Sequence, residues 1–477
     1  MRSWGEMAAR VRRAATALSA RGVEKGDRVL VHGRNSPALF ETMWACWMIG
    51  AVWVPTNFRL TPPEVAYLAQ SSGAMLQIFD RSFPDHAAAA LHEGVRAQLW
   101  LDEWDELALS GTPMAHPADV DRDDCCWFFY TSGTTGRPKA GMLTHGQMAF
   151  VVTNHLCDLM PGTTENDASL VIAPLSHGAG VHALSQVARG VPSILLASER
   201  FDAEEAWSLV AKYRVTNMFT VPTIVNLLCR DPAVDRHDHS SLRYVIYAGA
   251  PMYRADQILA LRKLGRVLVQ YFGLGEVTGN ITVLPPALHS EIDAEMKVGS
   301  CGYARTGMEV AILDTAGAQL APFETGEICA RGPAVFAGYY NNPEATEKSF
   351  ADGWFRTGDL GHLDAEGFLF ITGRASDMYI SGGSNVYPRE VEELLLTHPA
   401  IAEACVLGLP DEQWGEIGVA VLVIEPGQKI SLGEVMAHLE GRIAKYKFPR
   451  RIVVWEELPK SGYGKVVKRD VARLLAQ

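Results

Sequence analysis

Cysteine is sparse and unpatterned in this chain: eight in 477 residues, with no C-x-x-C pair. That excludes dithiol redox motifs and cysteine-based zinc sites. Cys46, Cys125, Cys126, Cys157, Cys229, Cys301, Cys329 and Cys405 are expected to be small buried hydrophobes in a reducing compartment. Positive charge is short as well, with 43 Lys and Arg against 55 Asp and Glu, a net charge of −12. The basic footprint of nonspecific nucleic-acid binding is therefore missing, and no nucleic-acid partner is expected. Long apolar runs are absent. The most apolar early stretch, Met43 to Val54, is 12 residues long, against roughly 18 for a membrane span. Met1 to Arg13 is basic and polar with no apolar centre, which predicts no signal peptide and a cytoplasmic setting. There are no repeats, no low-complexity linker, no Walker A loop and no Gly-x-Ser-x-Gly elbow. The last absence speaks against a hydrolase triad.

What is present is an alternation of helical and strand-like segments. Ser3 and Glu6 have capping-box spacing, followed by Met7, Val11, Ala14, Ala15 and Leu18 at helical intervals and by Gly22 as a stop. A strand is expected at Arg28–Val31 and a helix near Leu39–Ile49. Further strands are expected at Ser169–Ala173, Ser193–Ala197, Leu242–Tyr247 and Arg266–Tyr271. Strands alternating with helices imply crossover connections and largely parallel sheets. After about residue 285 the texture changes to short strands between glycine-rich turns, at Glu309–Asp314, Glu327–Arg331 and Phe368–Thr372, which reads as antiparallel hairpins. The last hundred residues return to alternation: a helix at Pro388–Thr397, strands near Ala404–Leu407 and Val419–Ile424, a helix at Leu432–Ala444.

The strongest local signal is Tyr130-Thr131-Ser132-Gly133-Thr134-Thr135-Gly136-Arg137-Pro138-Lys139, preceded by apolar Trp127–Tyr130. Small residues in a row bend sharply, expose backbone amides and offer hydroxyls, which suits a polyphosphate. Arg137 and Lys139 add positive charge. A second glycine pattern, Gly273-x-Gly275-x-x-x-Gly279, nearly matches a dinucleotide fingerprint but is one residue too long.

The Thr131–Lys139 segment resembles the phosphate loop of the adenylate-forming superfamily, which includes acyl-CoA synthetases, luciferases and peptide-synthetase adenylation domains. Other motifs of that superfamily follow in order: Pro174-Leu175-Ser176-His177-Gly178, Tyr247-Ala248-Gly249-Ala250-Pro251 and Gln270 through Glu276. After them come Gly326-Glu327 through Gly338-Tyr339-Tyr340, Gly353 through Asp359, Gly373-Arg374 through Pro388, Lys445-Tyr446-Lys447 and Gly464-Lys465. The resemblance covers nearly the whole chain. It implies an α/β fold: a large domain of mostly parallel sheets over residues 1–375, with a small β-barrel-like antiparallel subdomain over about 286–375. A small mobile α+β domain over 377–477 is expected to follow a hinge at Ser376. The family usually carries Lys or Asp at that hinge, and some thirty more residues before the first helix.

By the same resemblance, ATP lies on Thr131, Ser132, Gly133, Thr134, Thr135, Gly136 and Lys139. Its adenine lies between Phe272-Gly273 and Gly249-Ala250-Pro251, and its ribose and phosphates meet Asp359 and Arg374. A carboxylate suits two ribose hydroxyls, and a guanidinium fork suits phosphate or ribose oxygens. Glu276 is the implied magnesium ligand, since magnesium bridges phosphate oxygens through few carboxylates. Lys465 is implied to bridge the acid and the α-phosphate, and His177 to stand where the acyl carboxylate meets the thiol tunnel. Coenzyme A is expected against Gly382, Gly383, Trp414, Tyr446, Lys447 and Arg450. The acyl pocket is expected to include Gly178, Ala179, Phe219, Ala248, Tyr271 and Gly273. With no Lys or Arg among these, dicarboxylates are disfavoured and a fatty or aromatic acid fits.

One departure is Gly275, where the family usually has Thr. The hydroxyls of Thr131 to Thr135 compensate for the lost donor, and restoring Thr at 275 is expected to be tolerated. The reading is an ATP-dependent acid–CoA ligase, with a small-molecule carboxylic acid as partner and homodimerisation left open. Two alternatives stand beside it: an adenylating enzyme that loads a carrier protein, and an inactive homologue that binds nucleotide or acyl-CoA.

Overall fold

The computed structural model describes residues 2–132, 137–198, 200–250, 252–374, 377–381, 384–411, 414–460 and 466–476. The first sheet has six strands in the spatial order Ala97–Trp100, Leu76–Phe79, Arg28–His32, Val52–Thr56, Cys125–Ser132, Pro138–Thr144. Only the last pairing is antiparallel. The five parallel strands are fed by helices, as the alternation predicts. The first helix, Trp4–Ser19, begins with the expected capping box: Ser3 accepts from the Glu6 amide, and Glu6 accepts from the Ser3 amide at 2.6 Å. Gly22 then turns the chain with a φ of 77°.

The second sheet has twelve strands. Ser193–Leu195, Ser169–Val171, Asn217–Thr220, Tyr244–Tyr247 and Leu268–Phe272 are mutually parallel. At Leu268–Phe272 the sheet changes character. Its next neighbour, Thr282–Leu284, is antiparallel, and the strands beyond it continue antiparallel to the far edge at Glu309–Leu313. The antiparallel region thus starts a few residues before 286 and shares hydrogen bonds with the parallel strands along one continuous sheet. The hairpin character of Glu309–Leu313 with Gly326–Arg331 is as expected from the glycine-rich turns.

The C-terminal region differs from the alternation reading. Ile401–Asp411 and Gly415–Ile424 form an antiparallel hairpin, and only Arg451–Trp455 joins in parallel. The turn between them is too short for a crossover helix, which a parallel pair would need. The helix expected over Leu432–Ala444 stops at Leu439, because Glu440 is extended and Gly441 takes a φ of 77°. Packed against the strand Phe368–Arg374 is the helix Pro388–Leu395.

The main core lies under the first sheet and runs into the second. Trp53 and Trp127 meet edge to face at 4.8 Å in its centre, both fully buried. Six cysteines are buried, Cys125 is half-buried and Cys157 is exposed. Cys157 therefore departs from the expectation of small buried hydrophobes. No helix of the described residues is long and apolar enough to cross a membrane.

Candidate active site

The strand Cys125–Ser132 organises the site. Side chains two apart on a strand share a face, so Trp127, Phe129 and Thr131 line one side of it. At about 3.3 Å per residue these three span roughly 13 Å. Each meets a different functional segment.

Trp127 lies beneath the start of the helix Gly178–Arg189. A Cβ at Gly180 would sit 2.9 Å from the Trp127 ring and 2.1 Å from the Leu175 carbonyl oxygen, so only glycine allows this approach. Phe129 packs against the His177 ring, with 4.4 Å between centroids and the planes tilted by 34°. His177 is the residue that caps the helix Gly178–Arg189, and its carbonyl accepts from the Gly180 amide. Thr131 donates its hydroxyl to Glu276 Oε1 at 2.6 Å.

Glu276 lies in a single 3₁₀ turn, Gly275–Val277, that ends the last parallel strand. It is buried and also accepts from the Tyr339 hydroxyl at 2.9 Å. Burial first, and then the Glu276 charge, hold the Tyr339 phenol well above its ordinary range. Lys139 lies directly across from Thr131 in the antiparallel pairing, with its ammonium 5.1 Å from the Tyr339 ring centre. One carboxylate, two hydroxyls and a lysine thus converge at the mouth of the phosphate loop. Tyr339 has no role in the sequence reading, although its motif was visible; the missing information is that 63 residues of chain bring it to Glu276.

The segments expected to hold adenine sit side by side. Tyr247 pairs in register with Gln270, so Gly249-Ala250 and Phe272 leave their parallel strands at the same end. Ligand sites in open α/β sheets gather at these carboxyl ends. Gly249 has a φ of 85°. Asp359 and Arg374 also face each other in register, and Arg374 Nε donates to Asp359 Oδ1 at 2.9 Å. Asp359 is buried, while Arg374 is half-exposed.

Gly273 is pressed against backbone: a Cβ there would sit 2.4 Å from Gly279. The dinucleotide reading fails here, since a 3₁₀ turn and an antiparallel strand follow, not a helix. At Gly275 the geometry argues against the expectation that Thr is tolerated. A Cβ would meet Phe129 Cδ1 at 2.6 Å and Thr131 Cγ2 at 2.7 Å. Phe129 is buried and packed against the His177 ring, which limits its retreat.

The acyl-pocket residues form one cluster. Phe219 and Tyr271, on the two parallel strands that flank Tyr244–Tyr247, stack at 5.8 Å with planes 18° apart. Gly178 abuts Phe219, where a Cβ would approach to 2.7 Å. Ala179 and Ala248 are buried beside them. These five positions and Gly273 are neutral, as read from the sequence. The surroundings are not: Arg305 lies behind Tyr271, its guanidinium 5.9 Å from the ring centre, and is entirely buried. No sequence signal marks Arg305, because no motif contains it.

In the C-terminal region Trp414 is partly exposed, with the Arg450 guanidinium 4.8 Å over its ring. Tyr446 is exposed. Lys447 is bound to Glu390 at 2.6 and 2.7 Å, so its ammonium is already engaged within the C-terminal region. Gly133, Thr134, Thr135, Gly136, Pro251, Ser376, Gly382, Gly383 and Lys465 lie outside the described residues, as does the side chain of Ser132.

Glycine turns at the carboxyl end of parallel strands, a buried acid held by Thr131 and an adjoining apolar cluster are the arrangement an adenylate-forming enzyme needs. The sequence agrees with that class. Residues 1–340 match the AMP-binding enzyme family and residues 390–465 its C-terminal domain. The chain belongs to this family.

Among its relatives is a feruloyl-CoA synthase from Amycolatopsis, 39% identical over 99% of this chain and 93% of the relative. An indoleacetate–CoA ligase from Aromatoleum aromaticum is 35% identical over 100% and 93%. The ATP-bound structure of MatB from Rhodopseudomonas palustris superimposes with a TM-score of 0.90 at 30% identity, covering 99% of this chain and 93% of that one. The protein is an AMP-forming acid–CoA ligase: it makes an acyl-adenylate and then an acyl-CoA thioester.

Proposed function

We infer that the acid is aromatic and that the strand face Trp127–Phe129–Thr131 aligns its activation. The observation that carries this is the placement of three partners along one face: the helix start beside the acyl pocket, His177, and Glu276. An acid in the Phe219–Tyr271 pocket then presents its carboxylate near His177, and the triphosphate lies toward Thr131. Holding both reactants removes the entropic cost of bringing them together. The parallel Phe219–Tyr271 rings favour a flat acid, since aromatic pairs gain about 0.5–1.5 kcal/mol beyond area burial. Relatives named for feruloyl and indoleacetyl thioesters support the same class.

Magnesium fits the donor set. Among the described residues no cluster of three or more His, Cys, Asp or Glu could cage a metal. Glu276 alone, already oriented by Thr131 and Tyr339, suits an ion that takes most of its ligands from phosphate and water. Bound there, magnesium would supply charge neutralisation on the phosphates. Thr131 and Tyr339 hold the carboxylate in place, and Lys139 contributes positive charge beside them. Asp359 and Arg374 would receive the ribose, with Arg374 exchanging its carboxylate for a ligand oxygen. Lys465 would stabilise the charge that develops as the acid attacks the α-phosphate. For coenzyme A, the Arg450–Trp414 stack presents a flat cationic face to an adenine phosphate. The eight free thiols fit a cytoplasmic setting.

Product analysis with a panel of aromatic and fatty acids tests the reading. Stoichiometric AMP and pyrophosphate, with thioester formed on free coenzyme A, are expected. ADP and phosphate would overturn it. Thioester formed only on a carrier protein would favour the carrier-loading alternative, and no pyrophosphate with any acid the inactive homologue.

A further inference from the structure

Asn35 ties the first sheet to the loop that leads to His177. It follows the strand Arg28–His32 and directly precedes Ser36, which caps the helix Pro37–Met48 by accepting from the Leu39 amide at 3.1 Å. That cap steadies the backbone from which Asn35 projects. Its side chain reaches the loop that follows Ser169–Val171 in the second sheet. Nδ2 donates to the Ala173 carbonyl at 2.9 Å, and Oδ1 accepts from the Leu175 amide at 2.8 Å. The two bonds span 138 and 140 residues of chain.

This pair of bonds brackets Pro174, which has no N–H of its own. One planar amide that holds a carbonyl before the proline and an N–H after it fixes both the place and the direction of the loop. Among the described residues, no other side chain hydrogen-bonds the backbone of Ala173, Pro174 or Leu175. The next turn is built on the clamped residues. The Pro174 carbonyl accepts from the His177 amide at 3.1 Å, and the Leu175 carbonyl presses on Gly180, where a Cβ would approach to 2.1 Å. His177 lies between these two contacts, at the start of the helix Gly178–Arg189. Phe129 packs against its ring, while Asn35 holds the backbone that leads to it.

We propose that Asn35 is a positioning residue for adenylation: it holds the Ala173–His177 loop so that His177 meets the carboxylate of the acid. A displacement of about 1 Å in such an element can cost about 10²-fold in rate. The side-chain amide suits the task, because it offers a donor and an acceptor on one plane and brings no charge near the reacting carboxylate. The proposal rests on the reading above that presents the acid near His177.

The test compares Asn35→Ala and Asn35→Asp with wild type. Pyrophosphate release is followed with cinnamate, indoleacetate, benzoate and octanoate, and the acid of highest kcat/KM is used throughout. In Asn35→Ala, kcat should fall by about 10–10²-fold while the KM for ATP stays within about twofold. Asn35→Asp keeps the shape and the acceptor, but its carboxylate repels the Ala173 carbonyl, so kcat should fall there too. Added to His177→Ala, Asn35→Ala should deepen the loss by less than about twofold, because residues that act as a unit are not additive. Hydrogen exchange reads the clamp without turnover: the Leu175 amide should exchange at least about tenfold faster in Asn35→Ala.

A folded Asn35→Ala with wild-type kcat overturns the proposal. So does a loss that multiplies in full with that of His177→Ala, or a Leu175 amide whose exchange is unchanged. Should the alanine variant fail to fold, Asn35→Asp decides by the same readings. A wild type that releases no pyrophosphate with any of the four acids fails the ligase reading and takes the proposal with it. An active wild type beside an unimpaired variant fails this proposal alone.

Discussion

The Thr131 hydroxyl lies 2.6 Å from Glu276 Oε1, joining the phosphate loop to the 3₁₀ turn 145 residues later in the chain. Hydrogen bonds to a charged group are worth about 1.5–3 kcal/mol. Thr131→Val keeps the shape and removes the donor. It should lower kcat/KM for pyrophosphate release by roughly 10–10²-fold. Magnesium titration checks the role: the concentration giving half-maximal rate should rise, because Glu276 is less well oriented. An unchanged magnesium dependence would mean that Thr131 acts on the nucleotide alone.

Gly275 sits within that same joint. Placing Thr there puts carbon atoms into Phe129 and Thr131, and relief requires moving the 3₁₀ turn that carries Glu276. Gly275→Ala and Gly275→Thr should both lower adenylation by at least about tenfold, while overpacking costs about 1–3 kcal/mol of stability. Pyrophosphate release and melting temperature on the same preparations decide it. Wild-type activity in Gly275→Thr would show that Phe129 can yield.

These two residues show what the sequence could and could not convey. The family was legible because its motifs follow in order along the chain, and Thr131, His177, Phe272, Asp359 and Arg374 could be proposed as site residues because each lies in one of them. The crossover texture was legible because helices must alternate with parallel strands. The consequence of Gly275 was not, since its meaning depends on Phe129, which arrives from another sheet. Arg305 was invisible for the same reason: nothing around it in sequence says that Tyr271, His155 and Asp158 enclose it. The antiparallel C-terminal hairpin was missed because strand-then-helix texture does not report which strand pairs with which.

Buried histidines set the acid limit of stability. Burial lowers the pKa of His182 to about 4, of His289 to about 4 and of His32 to about 3. Each stays neutral in the folded chain while its unfolded counterpart protonates near pH 6.5. Between those values the unfolded state binds more protons, so stability rises with pH. It should be full above about pH 6.5 and fall as pH drops from there toward 4, by up to about 1.4 kcal/mol per histidine per pH unit. Urea midpoints at pH 7.5, 6.0 and 5.0 check this. His289→Gln, whose ring bonds Tyr247 and the Pro285 carbonyl, should flatten the slope between pH 6 and 5. An unchanged slope would assign the acid sensitivity elsewhere.

On the proposed assignment the C-terminal region presents different groups in turn: Lys465 to the acid and ATP in the first half-reaction, the coenzyme A face around Trp414 and Arg450 to the acyl-adenylate in the second. A change of that size must be absorbed by a few backbone dihedrals. Ser376, two residues after Arg374 in sequence, is the proposed hinge; the strand that carries Arg374 pairs with Asp359. Proline fixes φ near −65°, so Ser376→Pro should hold one orientation. Pyrophosphate release should persist while acyl-CoA formation falls steeply. Lys465→Ala should do the reverse, losing about 10²–10³ in adenylation while still converting supplied acyl-adenylate to thioester. Measuring both half-reactions on both variants, after confirming that each is folded, separates hinge from catalyst. A Ser376→Pro enzyme that makes acyl-CoA at the wild-type rate would place the hinge elsewhere, and equal loss in both half-reactions of Lys465→Ala would remove that lysine from its assigned step.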